Sequence, residues 1–269
     1  MRSFPPERII CLTEETVETL YLLGQQDRIV GVTGYAVRPP VVREEKERVA
    51  AFTSAKINKI LSLQPDLVLA FSDLQADIAA ELIKSGVAVM AYNQRDIAGI
   101  LAMIRHLGTI VGVGDKAEEL ATSYEKRLND IHIKKKDVDR PRVYFEEWDS
   151  PMITGIKWVS ELIEIAGGQD VFFELSGNEA ATDRIVASQQ VINASPNIIV
   201  ASWCGKKVRP QTFHEREGWS VVPAVEKNCI YEIKSPLILQ PGPAALTDGL
   251  DKLVQIFDNY GHGKHKLTY

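Results

Sequence analysis

Short apolar runs recur along this chain, and two of them open stretches that match one another. RIICLTEE, from Arg8, ends in polar residues and is followed by TLYLLGQQDRIV, from Thr19. RVYFEEWD, from Arg142, is followed in the same way by ELIEIAGGQDVF, from Glu161. In each stretch an amphipathic helix stops at small residues, Gly24 in one and Gly167 and Gly168 in the other, where a helix is readily closed. A second pair repeats the relation: LSLQPDLVLA from Leu61 and INASPNIIVA from Ile192. Pro65 and Pro196 stop a helix from continuing, and Asp66 or Asn197 then turns the chain into an unbroken apolar strand. Strands that are apolar along their whole length are covered on both faces, as in parallel sheets flanked by helices. An internal repeat of this kind constrains architecture more than any single motif does. The expected fold class is therefore α/β, with two similar lobes built on parallel sheets.

Further strands are expected at residues 29–32 and 89–92, with helical segments at 56–62, at 74–84 and through IAGILAMIRHLGTIVG after Asp96. A long helix follows. Asp115 is a suitable N-cap, Glu118 stands three residues later as in a capping box, and Ala117, Leu120, Ala121, Tyr124, Leu128 and Ile131 keep helical spacing. Extended to Lys136, that helix is about 33 Å long, enough to lead from one lobe to the next. The expected organisation is an N-terminal lobe over 1–114, a connecting helix over 115–136 and a C-terminal lobe over 137–269. A last helix falls near residues 243–260, and the tail GHGKHKLTY, without periodicity, reads as frayed.

Composition narrows the function classes. Among the 269 residues, 31 Lys and Arg stand against 36 Asp and Glu, a formal charge of −5 that gives no basic face for nucleic acid. The run Lys134 to Lys136, with Arg140 and Arg142, reads as a helix end whose cations oppose the helix dipole. No apolar stretch reaches the roughly 18 residues of a membrane span. The opening MRSFPPERIICLTEE has too short an apolar run for a secretory signal, so the sequence as written reads as cytoplasmic, or as periplasmic or extracellular if a leader has been removed. Cys11, Cys204 and Cys229 form neither metal-type pairs nor a disulfide framework.

Enzyme signatures are missing. The chain has no GxSxG elbow, no phosphate-binding loop, no GxGxxG after a strand and no HExxH. His262 and His265 lie three apart in the tail, and the other histidines are scattered, so no metal site and no catalytic residue is expected. Cys204 follows a strand end but has no base and orienting group near it in sequence.

A binding surface remains, because parallel α/β sheets hold ligands outside the carboxyl ends of their strands. Those ends bring forward Glu14, Glu15, Tyr35, Ser72, Asp73 and Asn93 in the first half, and Glu146, Glu147, Trp148, Trp203 and Cys204 in the second. All four tryptophans lie in the second half; Trp148 and Trp203 suit a planar or bulky ligand or else seal the core, while Trp158 and Trp219 read as packing residues. The carboxylate pairs Glu14/Glu15 and Glu146/Glu147 occupy corresponding places in the repeats. They either grip a cation or hydroxyl-rich ligand, or, for the first pair, serve the following helix through its dipole. The proline-rich loop from Gly34 to Lys56 reads as a rim of the mouth.

Taken in order, RIICLTEETVETLYLLGQQDRIVGVTGY, KINKILSLQPDLVLAFSD, the single long helix, WVSELIEIAGGQDVF, ASPNIIVA and GWSVVPAVEKNCIYEI resemble the Fe/B12 substrate-binding family of ABC importers. The opening and the loop with Pro39 and Pro40 look most like its cobalamin-binding members. The resemblance covers nearly the whole chain. It implies two lobes joined by one long helix, a stiff hinge, and a cleft ligand such as cobalamin or another corrinoid, haem or a ferric siderophore, with no intrinsic cofactor. It also implies a monomeric, non-enzymatic receptor whose partners are that small molecule and an ABC permease. Carried over by position, ligand contacts include Glu14, Tyr35 and Ser72, with Trp148 and Trp203 opposite. Exported members dock on their permease through an acidic residue at each lobe tip, for which Asp77, Glu81, Glu215 and Glu217 are candidates. The readings set against this one are a cytosolic cofactor-handling enzyme using Cys204 and a ligand sensor, each reusing the receptor fold.

Overall fold

The computed structural model describes residues 4–136 and 139–262. They form two compact α/β units. The first gathers the chain up to Gln94 together with Ala98–Ser123, and the second gathers Arg95–Ile97 and the chain from Tyr124 onward. The boundary falls inside one continuous helix, Gly114–Lys135.

The first unit is built on β1 (Ile9–Cys11), β2 (Ile29–Thr33), β3 (Arg48–Ala50), β4 (Leu67–Phe71) and β5 (Val89–Tyr92), ordered β3-β2-β1-β4-β5 with every pairing parallel. Strand β3 lies in the loop expected to be irregular. Its three residues carry too little apolar signal to stand out among the charges around them, yet Val49 is fully buried against the core of Ile10, Leu12, Ile60 and Val68.

The second unit contains β6 (Arg142–Asp149), β7 (Met152–Thr154), β8 (Gln169–Asp170), β9 (Ile198–Ala201) and β10 (Ile230–Glu232). Strand β6 pairs in parallel with β9 and β8, β9 pairs in parallel with β10, and β7 folds back antiparallel on the end of β6. The sheet is thus parallel, as expected, except for this one added strand. Ser150 and Pro151 turn the chain sharply enough for β7 to pair locally, which a parallel strand cannot do without a crossover.

The repeat seen in the sequence is a repeat of hydrogen bonds. Asp66 accepts from the Glu7 and Arg8 amides at 2.7 and 3.0 Å, and Asn197 accepts from the Arg142 amide at 3.0 Å. Each places the start of β4 or β9 beside the start of β1 or β6. The guanidinium of Arg8 donates to the Leu63 carbonyl at 2.6 Å and that of Arg142 to the Ala194 carbonyl at 2.8 Å, closing the preceding helix in both units. Gly24 and Gly167 adopt φ of +70° and +89°, the left-handed conformation that ends the helices Glu14–Leu22 and Lys157–Ile165.

The long helix differs in detail from expectation. It begins at Gly114, so Asp115 sits in the first turn, and Glu118 accepts from Nε and Nη2 of Arg105 at 2.7 and 2.9 Å instead of reaching back to the cap. At its far end Lys135 pairs with Asp258, so that basic run is partly engaged and not simply solvated. His262 ends the last helix, Leu250–Gly261, while His265 and most of the tail lie outside the described residues. Among the described residues no helix is long and apolar enough to cross a membrane.

Candidate ligand-binding faces

In a doubly wound sheet the connections leave in opposite directions on either side of one pair of strands, which opens a crevice at their carboxyl ends. In the first unit that pair is β1 and β4, and in the second it is β6 and β9. The residues following these four strands therefore form one candidate face in each unit.

In the first unit, β1 runs directly into the helix Glu14–Leu22, so the carboxylates of its first turn sit at the strand end. Glu14 and Glu15 are only 9% and 1% exposed. Burial pushes the Glu14 carboxyl up to about 8, and Glu15 and Glu18 add repulsion. Burial also pushes Glu15 up to about 7, against the pull of the Thr13 hydroxyl, which donates to it at 2.6 Å. Glu18, one turn on, pairs with Arg38 at 2.8 Å. At the end of β4, Ser72 is buried and takes φ +54° and ψ −178°, a strained conformation for a residue with a side chain. Its amide donates to the Tyr92 carbonyl at 2.7 Å and its hydroxyl accepts from the Leu74 amide.

The residue that ties this face together is one the sequence does not single out. Gln75 is buried; its side-chain carbonyl accepts from the Phe71 amide at 2.9 Å, and its amide donates to the Leu12 and Phe52 carbonyls at 3.2 and 2.8 Å. Asp73, Asn93 and Tyr35 are exposed, Tyr35 at 52%. Thus Glu14, Glu15 and Ser72 are buried at these strand ends, while Tyr35, Asp73 and Asn93 are exposed.

The second unit treats its carboxylates differently, and the expected correspondence of the two pairs is corrected by the strand registers: with Ile9 beside Leu67 and Val143 beside Ile198, Glu146 and Glu147 stand where the first unit has Leu12 and Thr13, and Trp148 where it has Glu14. Glu146 has no exposed surface and is wrapped by donors: both terminal nitrogens of Arg216 at 2.6 and 2.9 Å, the Tyr144 hydroxyl at 3.0 Å and the Trp203 indole at 3.1 Å. Burial pushes its carboxyl up, and those donors pull it back. Glu147 accepts from Arg184 at 2.7 Å, and Arg184 is itself 2% exposed. Neither arginine is near its partner in sequence, so nothing local could have announced these pairs.

Trp203 is 2% exposed, stacks on Phe213 and belongs to the core around Trp219, which places it on the sealing side of the choice left open for it. Trp158 and Trp219 are buried too, their indoles donating to Ile238 and Ser188. Trp148 is half-buried, with its indole bound to the Ser150 carbonyl. Lys206 lies over both rings, 5.1 Å from that of Trp148 and 4.8 Å from that of Trp203, and pairs with Asp149 at 2.6 Å. Beside them opens a cavity of about 300 Å³ lined by Asp149, Trp203, Lys206, Lys207, Arg209 and Thr212. Cys204 is an exposed free thiol at the same strand end. Lys206, Lys207 and Arg209, in GKKVRP, form a second basic run beside the one near Lys134. Among the described residues, no cluster of three His, Cys, Asp or Glu side chains is placed to hold a metal ion.

Comparison with known proteins gives the same picture. The chain is 27% identical over 260 residues, 93% of its length and 79% of the relative's, to the uncharacterized ABC transporter substrate-binding lipoprotein YvrC of Bacillus subtilis (strain 168). It is 27% identical over 252 residues, 91% of its length and 87% of the relative's, to the vitamin B12-binding protein of Vibrio cholerae serotype O1 (strain ATCC 39541). The crystal structure of the periplasmic vitamin B12 binding protein BtuF of Vibrio cholerae shares its fold, with a TM-score of 0.75 at 24% identity over 97% of this chain and 99% of that one. So does a possible iron-binding periplasmic protein of Staphylococcus epidermidis, with a TM-score of 0.80 at 21% identity over 94% of this chain and 99% of that one. The periplasmic binding protein profile matches residues 9–237, from β1 to beyond β10, and the chain accordingly belongs to the periplasmic binding protein family.

Proposed function

We propose that this protein is a non-enzymatic receptor that reversibly binds a corrinoid, or another bulky metal chelate such as haem or a ferric siderophore, and hands it to an ABC-type permease. The observation that carries the reading is the family match across both sheets, joined to two relatives that are a substrate-binding lipoprotein and a vitamin B12-binding protein. The geometry supports it, since each unit presents residues at the carboxyl ends of the strand pair where such sheets take ligands. On this reading Tyr35, Asp73, Asn93 and Trp148 supply the accessible contacts, Glu14, Glu15 and Ser72 the base of the first face, and Trp203 with Cys204 the inner edge of the second. Asp77, Glu81, Glu215 and Glu217, all exposed, are the carboxylates available to a permease. The lipoprotein relative supports an extracytoplasmic setting. A Cys204 enzyme is not favoured, because the family is one of binding proteins.

Equilibrium titration with cobalamin, cobinamide, haem and ferric chelates tests the ligand class. Binding of at least one of them at micromolar strength or tighter is expected, on the order of −8 kcal/mol. If the whole panel binds no tighter than about millimolar, near −4 kcal/mol, the ligand class is wrong.

A further inference from the structure

We infer that the cavity of the second unit is an oxyanion subsite, taking a carboxylate or phosphate carried by the ligand. Resting on the receptor reading, the inference adds the charge of what is bound. The lining sets three cations, Lys206, Lys207 and Arg209, against one carboxylate, Asp149. Asp149 is already matched by Lys206 at 2.6 Å, and Lys206 is further held over the Trp148 and Trp203 rings. Two cations are left over. Among the described residues no hydrogen bond or ion pair engages the side chain of Lys207 or Arg209.

On the same strand as Asp149, Glu146 is matched by Arg216, Tyr144 and Trp203 and Glu147 by Arg184, while Glu232 accepts from the Val208 amide at 3.1 Å. Cations on a concave wall backed by buried aromatic rings attract an anion more strongly than the same cations on a flat, fully hydrated surface. Arg209 offers the planar fork that matches an oxyanion, Lys207 a second charge and Thr212 a hydroxyl. At about 300 Å³ the cavity is at the lower limit for drug-sized ligands, roughly 300–1,000 Å³, so it suits an acidic appendage and not a whole macrocycle.

The test compares ligand pairs that differ in the acidic group. Cobalamin and cobinamide differ by the phosphodiester-bearing nucleotide; haem and its dimethyl ester differ by two carboxylates. The full chain is expected to prefer the acidic member of at least one pair by about tenfold or more, as charge-assisted hydrogen bonds allow. In Lys207→Glu/Arg209→Glu that ratio should fall toward one, and the wild-type preference should shrink in high salt. A preference confined to the first pair assigns the subsite to phosphate, and one confined to the second assigns it to carboxylate. Equal affinities within both pairs overturn the inference while leaving the ligand class intact. If no macrocycle binds, the ligand class fails, and inorganic phosphate and citrate decide the subsite alone. A saturable thermal shift in the wild type that the double variant loses upholds it, and identical behaviour of the two proteins overturns it. Circular dichroism confirms that the variant is folded.

Discussion

Two carboxylate pairs, Glu14 and Glu15 after β1 and Glu146 and Glu147 within β6, stand two residues apart in the frame of the repeat and are stabilised by opposite means. Within β6, Glu146 is matched by Arg216 and Glu147 by Arg184, each through two nitrogens. After β1, Glu14 and Glu15 are as deeply buried, but the donor found there is a hydroxyl, and their pKa values rise to about 8 and about 7. A buried carboxylate needs a partner or a proton. The second unit supplies guanidinium partners, whereas in the first burial outweighs the single hydroxyl donor and holds both carboxyls well above the usual range.

Breaking the Glu146 pair should have the largest effect. Arg216→Ala leaves a carboxylate with no exposure and no guanidinium, and is expected to destabilise the protein by about 3–5 kcal/mol in chemical denaturation. The paired change Arg216→Met with Glu146→Gln should recover much of that loss, because neither charge is then stranded. Arg184→Ala should cost less, about 1–3 kcal/mol, because Glu147 retains some exposure through which water can reach it.

The first unit should respond with the opposite sign. A carboxyl whose folded pKa lies above its unfolded value adds stability that is complete below the unfolded value, 4.5 for Glu14, and is lost as pH rises through about 8. Glu14→Gln is therefore expected to stabilise the protein by about 1–2 kcal/mol at pH 9 and to change little at pH 4, measured as the pH dependence of the denaturation midpoint. A stability gain that is the same at both pH values would show that Glu14 titrates normally. The smallest effect is expected for Arg38→Ala, which removes the partner of Glu18 near the surface and should cost about 1 kcal/mol or less, diminishing in high salt.

Much of the fold could be read without the structure because its signals are local. Pro65 and Pro196 each precede an apolar strand, and the adjoining Asp66 and Asn197 turned out to hold equivalent main-chain positions. Strand β3 escaped because a three-residue strand among charged residues has almost no period to detect. Strand β7 escaped because it reverses direction within a sheet whose other pairings are parallel. At the candidate faces the strand ends were legible, but the partners were not. Gln75 lies 63 residues from Leu12, and Arg216 lies 70 from Glu146, and no spacing rule connects residues so far apart.

The sequence alone determined the α/β class, the two-fold repetition, the single long helix and the ends of the main strands. Each of these follows from hydrophobic period and from turn chemistry acting over a few residues. The tertiary structure decided which side chains at those ends are spent inside the protein and which remain for a ligand. It buried Trp203 beneath Lys206, matched Glu146 and Glu147 with distant arginines, and left Lys207 and Arg209 around a cavity. Burial and charge pairing depend on which distant residues the fold brings together, and so the chemistry of the site appears only once the chain has folded.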